Sequence, residues 1–133
     1  MGAWGFGSFD NDQALDFLSD LEESGPELLR ECVDMSTWKE PTLDECTSTD
    51  LIAASEIVAA MTGRPAADLP EEASQWVADH QGLDLSHLIS HCRSGLAKVV
   101  QPGSGLNELW EENKEQYPKW KQAVQELADR LNA

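Results

Sequence analysis

The sequence predicts an all-α protein, and two observations carry that prediction. Apolar residues recur at intervals of three and four along most of the 133 residues, whereas the alternating pattern of a half-buried strand is missing. Proline and glycine interrupt this pattern at short intervals, and no repeat or long linker separates the segments. We therefore expect a single compact domain over residues 1–133, with about six or seven helices and an N-terminal strap rich in glycine and aromatic residues.

The strap is the opening stretch MGAWGFGSF, in which glycines alternate with the rings of Trp4, Phe6 and Phe9. Glycine allows a backbone to lie close against a packed surface, and a fully buried ring contributes about 1.5–3 kcal/mol. We interpret the segment as a structural anchor that ties the N-terminus to a groove between helices. The alternative is a loop that binds a partner through Trp4.

The first helix is expected to begin at Asp10, because Asp10 as N-cap and Gln13 three residues later form a capping box that Phe9 would staple. Its predicted buried face comprises Ala14, Phe17, Leu18 and Leu21. A short second helix is expected from the sequence Ser24-Gly25-Pro26-Glu27, since proline is tolerated in a first turn. Its predicted inward residues are Leu28, Leu29, Cys32 and Val33.

A loop that contains Trp38 and Pro41 precedes a longer helix, which should begin near residues 47–50 and end at the glycine and proline of residues 61–65. Four further helices are expected to open at Pro70, at Asp84, after residues 101–105 and at Pro118. The predicted apolar residues of these helices are, in chain order, as follows. The helix from Pro70 has Ala73, Trp76 and Val77, and the helix from Asp84 has Leu85, Leu88, Ile89, Cys92, Leu96, Val99 and Val100. The helix after residues 101–105 has Leu106, Leu109 and Trp110, and the helix from Pro118 has Trp120, Val124, Leu127 and Leu131.

Charge is the unusual property of the composition. The chain has 25 acidic and 9 basic residues, a net charge of −16, and residues 1–56 alone contain 14 acidic and 2 basic residues. A field of this sign repels nucleic acid and anionic membranes but accelerates association with a basic protein. The alternative is that the charge serves solubility only.

Two further observations indicate a soluble protein of the reducing cytoplasm. The three cysteines are odd in number and lack the paired spacing of zinc ligands. The N-terminus does not read as a signal peptide, and no apolar run approaches the length of a membrane span.

Acidic residues supply most of the candidate sites. Asp10 and Asp12 suit a helix N-terminus, and no regular calcium-ligand series follows them. The neighbours of Glu56 one helical turn away are all apolar, so this carboxylate should be buried and should need a partner, such as a strap N–H group or the Trp4 indole. We interpret Asp10 and Glu56 as structural anchors, with a general acid or base as the alternative role of Glu56.

Other catalytic and metal-binding patterns are weak. His87 and His91 have the spacing of a zinc half-site on a helix, but no third ligand is evident, and we interpret them as surface residues. No nucleophile or phosphate-binding motif is present. We therefore assign no catalytic residue, no metal and no cofactor.

These observations favour a non-catalytic acidic binding protein, such as an immunity-type inhibitor of a basic toxin or nuclease. Its partner-binding residues are predicted on the outer faces of the first two helices: Asp16, Asp20, Glu23, Glu27 and Glu31. The alternative is a small helical enzyme or a ligand-binding regulatory domain that uses Glu56 with Asp10 or Asp12.

The opening MGAWGFGSFDNDQALDF resembles the start of a bacterial family catalogued as domain of unknown function 4259, which begins M-G-x-W-G-x-G-x-F-x-N-D. Three later stretches are also similar to it: AASEIVAAMTGRP at 53–65, LPEEASQWV at 69–77 and LNELWEENKEQYPKWKQAVQELADRL at 106–131. The resemblance implies an all-helical protein, and it brings no established activity and no catalytic residues.

Overall fold

The computed structural model describes residues 7–34, 44–101 and 104–131. The predictions for Trp4, Phe6, Trp38 and Pro41 lie outside the described residues. Within these ranges the secondary structure is seven α-helices and one 3-10 turn, without a strand, which confirms the predicted all-α class. The helices are α1 (Asp12–Ser24), α2 (Glu27–Val33), α3 (Glu45–Met61), α4 (Glu71–Asp79), α5 (Ile89–Val99), α6 (Gly105–Glu111) and α7 (Tyr117–Leu131).

Helix α3 is the centre of the fold. Every residue from 51 to 60 is buried, and each of the other six helices packs against α3. A helix that is apolar on all sides is typical of the interior of a helical domain. Alanines at positions 53, 54, 59 and 60 keep this helix narrow, so that its neighbours can approach closely.

Helix α1 begins one residue later than predicted. The N-cap is Asn11, whose Oδ1 accepts a hydrogen bond from the Ala14 N–H at 2.8 Å, so the prediction that Asp10 is the cap is wrong. The Asp10 carboxylate instead accepts from the Gly7 N–H at 3.1 Å, while the Asp10 N–H donates to the Gly7 carbonyl oxygen at 3.1 Å. Asp10 therefore closes a turn just before the helix. The predicted buried face of α1 is confirmed.

Helix α3 begins earlier than predicted and ends where predicted. The side chain of Asp44 accepts from the Thr47 N–H at 2.8 Å, and this cap starts the helix at Glu45. At the other end Gly63 has a φ of 93°, which favours glycine. Its N–H donates to the Ala60 carbonyl oxygen, and the next N–H donates to Ala59, the two bonds of a Schellman motif.

The helix predicted from Asp84 is interrupted at its start. Asp84 Oδ1 accepts from the Ser86 N–H at 2.9 Å, a 3-10 turn covers Ser86–Leu88, and α5 begins at Ile89. The prediction of one continuous helix is therefore wrong, although its predicted inward residues face the core: Ile89 and Val100 are half-buried, and the other five, Leu85, Leu88, Cys92, Leu96 and Val99, are buried. None of the helices in the described ranges has the length and apolarity needed to cross a membrane.

Candidate functional site

A cavity of about 310 Å³ lies where the N-terminal ends of α1 and α3 meet α6 and α7. Its floor is apolar and its rim is acidic, and among the described residues no lysine, arginine or histidine lines it. The lining residues are Gly7, Ser8, Asn11, Asp12, Gln13, Asp16, Glu45, Cys46, Thr49, Ile52, Leu106, Leu109, Trp110, Trp120, Ala123 and Val124.

The floor is rigid because it is built from buried rings. The rings of Trp110 and Trp120 stack with their centroids 6.0 Å apart and an angle of 12° between their planes. Tyr117 also stacks on Trp120, with 6.1 Å between ring centroids, and its hydroxyl donates to Asn107 Oδ1 at 2.9 Å. These contacts fix α6 against α7 and hold the apolar wall in place.

The polar residues of the cavity divide into two groups. Asn11 caps α1, Thr49 donates to the Glu45 carbonyl oxygen at 2.8 Å, and the Gln13 amide donates to Asp50 at 2.9 Å. The carboxylates of Asp12, Asp16 and Glu45 have neither a hydrogen bond nor an ion pair with any described residue. The groups that remain available for a ligand at this site are therefore hydrogen-bond acceptors that carry a negative charge.

The acidic rim continues into a wider surface. Burial raises the pKa of Asp50, and the nearby carboxylates of Asp20, Asp44 and Asp16 raise it further, while the Gln13 hydrogen bond lowers it. Burial likewise raises the pKa of the Cys32 thiol to about 12, with added repulsion from Asp50, Glu31 and Asp20. We call this surface the acidic face, and it comprises Asp12, Asp16, Asp20, Glu31, Asp44, Glu45 and Asp50.

Three of the five predicted partner-binding residues belong to the acidic face, namely Asp16, Asp20 and Glu31. Glu27 forms an ion pair with Arg30 instead, so part of its charge is compensated. Glu23 is exposed near the C-terminal end of α1. Asp44, Glu45 and Asp50 of this face were not predicted from the sequence, because the predicted start of α3 lay inside this acidic run and the run does not show which way it faces.

Glu56 lies in the interior, where it joins three parts of the chain. Its side chain is 6% exposed, Oε2 accepts from the Ser8 hydroxyl at 2.7 Å, and Oε1 accepts from Arg130 Nη2 at 2.9 Å. Arg130 also donates to Glu126 at 2.7 Å and to the Arg64 carbonyl oxygen at 3.1 Å. Burial raises the pKa of Glu56, and Ser8 and Arg130 counteract that effect.

The carboxylates of the alternative catalytic prediction occupy different environments. Asp12 lines the cavity, Asp10 closes the turn with Gly7, and Glu56 contributes nothing to the described lining. The partner predicted for Glu56 was a strap N–H group or the Trp4 indole. The partners in the described residues are the Ser8 hydroxyl and Arg130, which is 74 residues away in sequence and therefore carried no local signal.

A second cavity of about 460 Å³ lies between α1 and α4. It also combines apolar side chains with carboxylates, and its lining residues are Leu15, Leu18, Ser19, Glu22, Glu71, Glu72, Gln75, Trp76 and Asp79. Beside it, the His80 ring stacks on Trp76 with 3.9 Å between centroids, and His80 Nδ1 donates to the Trp76 carbonyl oxygen at 2.7 Å.

The predicted histidine pair is not on one helix. His87 lies in the 3-10 turn, whereas His91 lies in α5 with its Nδ1 3.8 Å from Asp34 Oδ1. In the parts of the chain that the structure describes, no group of three His, Cys, Asp or Glu side chains is arranged to hold a metal ion. Cys32, Cys46 and Cys92 are free, and burial raises the pKa of the Cys92 thiol to about 11.

Comparison with known proteins gives one match. No curated protein and no solved structure matches the chain. The sequence profile of one family matches residues 2–123, which include Glu56 and every residue of the cavity lining except Val124, but not Arg130. The chain therefore belongs to the family described as Domain of unknown function (DUF4259).

Proposed function

We propose that the protein is a non-catalytic binding protein whose acidic face recognises a basic protein partner, in the manner of an immunity-type inhibitor of a basic toxin or nuclease. The observation that carries the proposal is the convergence of α1 and α3. Asp16 and Asp20 are exposed on α1, and together with Asp44, the N-cap of α3, they add to the effect of burial in raising the pKa of Asp50.

This convergence has a cost that solubility alone does not require. Like charges four residues apart, such as Asp16 and Asp20 in α1, destabilise a helix by a few tenths of a kcal/mol, and the nearby carboxylates of Asp44 and Asp50 at the start of α3 add repulsion between the two helices. A basic partner would relieve that repulsion and would be steered toward the face from a distance. The free cysteines support a reducing cytoplasm as the site of action, because an exposed thiol such as Cys46 persists there.

The alternative, a small enzyme or regulatory domain that uses Glu56 with Asp10 or Asp12, has less support. Both oxygens of Glu56 are engaged, by Ser8 and by Arg130, and Asp10 is engaged by Gly7. A general base needs an oxygen that is free to take a proton from a substrate. Only Asp12 of the three lines the cavity.

The test uses a lysine-rich helical peptide as a probe of basic character. Two variants with the same change in net charge are compared: Asp16→Asn with Asp20→Asn on the acidic face, and Glu112→Gln with Glu115→Gln, which are exposed in the segment between α6 and α7. We expect the first pair to slow association several-fold more than the second, with a steep dependence on salt in the parent protein.

NMR titration of backbone amides locates the peptide independently of its rate of binding. The expected result is that chemical-shift changes cluster on α1 and the first turns of α3. If both variant pairs slow association equally and the chemical-shift changes are spread over the surface, only net charge matters. The acidic face would then serve solubility and not recognition.

A further inference from the structure

The cavity between α1, α3, α6 and α7 has a chemistry that goes beyond a flat acidic surface. Its volume of about 310 Å³ is at the lower end of the range of small-molecule sites, which extends over about 300–1,000 Å³. The lining combines an apolar wall from α6 and α7 with an acidic rim from α1 and α3. Such a site can hold one small ligand with two different ends.

The apolar wall is complementary to a ligand with a compact hydrophobic group. Ile52, Leu106, Trp110, Trp120 and Val124 are all buried members of the lining. The stacked indoles hold this wall in place, so the cavity does not need to be opened by its ligand. Indole is also the side chain that attracts a cation most strongly through its ring. An aryl or alkyl group of moderate size therefore fits the floor.

The acidic rim is complementary to a positively charged group on the ligand. Asp12, Asp16 and Glu45 have no donor among the described residues, and no cationic side chain in the described lining compensates them. The other hydroxyl and amide side chains at the cavity, those of Ser8, Asn11, Gln13 and Thr49, already make hydrogen bonds within the protein. The side chains of Asp12, Asp16 and Glu45 are exposed to solvent, and an ammonium ion would offer them both an opposite charge and hydrogen-bond donors. An anion would be repelled, and a neutral ligand would leave the carboxylates uncompensated.

We propose that this cavity is a binding site for a small organic cation with an apolar body, of the arylalkylammonium class. The ammonium group lies among the carboxylates of Asp12, Asp16 and Glu45, and the apolar body lies against Trp110 and Trp120. The site is independent of the proposed protein partner, because it requires only the cavity and its rim. Occupation would also neutralise part of the acidic face.

The test uses three probes of similar size and different charge: phenethylammonium, neutral 2-phenylethanol and anionic 3-phenylpropionate. Calorimetry gives the affinity, and the indole N–H resonance of Trp110 reports on the cavity itself. We expect phenethylammonium to bind at micromolar to millimolar concentration, the alcohol to bind more weakly and the anion to show no binding. Equal affinity for the three probes, or no binding of the cation at millimolar concentration, would overturn the proposal.

Variants separate the cavity from the wider acidic face. Asp12→Asn with Glu45→Gln should weaken phenethylammonium binding by about threefold for each carboxylate. The control Asp20→Asn with Glu23→Gln removes the same charge outside the lining, and it should leave the affinity within about twofold of the parent. An equal loss in both variants would mean that the cation binds the surface and not the cavity.

Filling the cavity provides a test that does not depend on charge. Ala123→Leu places a larger side chain on the α7 wall, and Cys46→Leu does so from the α3 wall. Either variant that keeps the parent melting temperature should lose binding at least tenfold. Retained affinity in a folded variant would place the ligand elsewhere. The lysine-rich peptide is a separate probe, so its failure together with binding of phenethylammonium would count against the protein partner alone.

Discussion

At the scale of single residues, Glu56 shows how much a buried charge depends on its partners. An ionised carboxylate in the interior is costly unless it is paired and hydrogen-bonded. Glu56 meets that requirement with the Ser8 hydroxyl and the Arg130 guanidinium, which is itself 15% exposed. The interaction ties α3 both to α7 and to the segment before α1.

We expect Arg130→Met to destabilise the protein by about 3 kcal/mol, because it leaves Glu56 buried without its cation. Urea denaturation followed by circular dichroism measures the change. The matched control is Glu126→Gln, which removes the exposed partner of the same guanidinium and should cost less than about 1 kcal/mol. Similar small losses in both variants would show that Ser8 alone satisfies Glu56.

Asp50 provides a prediction about pH. Burial raises the pKa of this carboxyl above its ordinary value of 3.8, so the folded chain holds the proton more tightly than the unfolded chain does. The contribution of Asp50 to stability is therefore greatest below pH 3.8 and declines as the pH rises through the folded pKa. In Asp50→Asn, which keeps an acceptor for Gln13, that decline should be absent.

The measurement is the free energy of unfolding from about pH 4 to about pH 7. We expect the curve of Asp50→Asn to fall less steeply than that of the parent, and Asp68→Asn, an exposed residue between α3 and α4, to follow the parent curve. A parallel course for Asp50→Asn and the parent would contradict the proposed effect of burial on this carboxyl.

Residue-level prediction from the sequence succeeded where the cause was local. The apolar neighbours of Glu56 one turn away indicated that it needs a partner, and its side chain is indeed buried. Arg130 could not be identified as that partner, since 74 residues separate the two. The cap of α1 was misassigned because Asp10 and Asn11 are adjacent and equally suitable, and only the turn formed by Gly7 and Asp10 decides between them.

At the scale of secondary-structure elements, the contact between α3 and α5 depends on a glycine. A Cβ atom added to Gly95 would lie 2.5 Å from Leu51 Cδ1. Leu51 is itself fully buried, so its side chain has little room to move away. Gly95 therefore allows the two helix backbones to approach more closely than any other residue would.

We expect Gly95→Ala to destabilise the protein by about 1–3 kcal/mol through overpacking, although alanine is the better helix former by about 1 kcal/mol. Thermal and urea denaturation measure the loss, and Ser94→Ala on the exposed side of α5 should be nearly neutral. Adding Leu51→Val should cost less in the Gly95→Ala background than in the parent. A stabilised Gly95→Ala protein would mean that Leu51 moves away at little cost.

Element boundaries were predictable where glycine or proline marks them and less so elsewhere. The end of α3 was correct because Gly63 and Pro65 give a clear stop. Its start was placed too late, since the cap Asp44 lies within an acidic run in which several residues could cap. The 3-10 turn before α5 was missed because its apolar spacing of three, Leu85 to Leu88, also fits an α-helix.

At the scale of the whole molecule, a net charge of −16 on 133 residues acts against the compact state. We expect the melting temperature to rise as sodium chloride is increased from about 0.02 M to about 0.2 M, because the Debye length falls over this range to about 10 Å or less. The same rise should be smaller in a protein that carries Asp16→Asn and Asp20→Asn. A melting temperature independent of salt in both proteins would show that the repulsion is weak in the folded chain.

The all-α class and the inward faces of the helices around α3 followed from periodicity, because an apolar stripe on one side of a helix is a property of local sequence. The cavity could not be predicted from periodicity, because it arises where four helices from distant parts of the chain meet. Its acidic members were visible as charges, but whether they face one another depends on the packing of α1 against α3.

The central position of α3 has a consequence for how the protein opens. Since the six other helices that the structure describes all pack on α3, none of them can separate from α3 as a folded unit that keeps its own core. The backbone amides of residues 51–60 should then exchange with solvent hydrogen only when the entire chain unfolds. The slowest exchange rates in α3 would give the global free energy of unfolding directly, and a denaturation profile without a stable intermediate should accompany them.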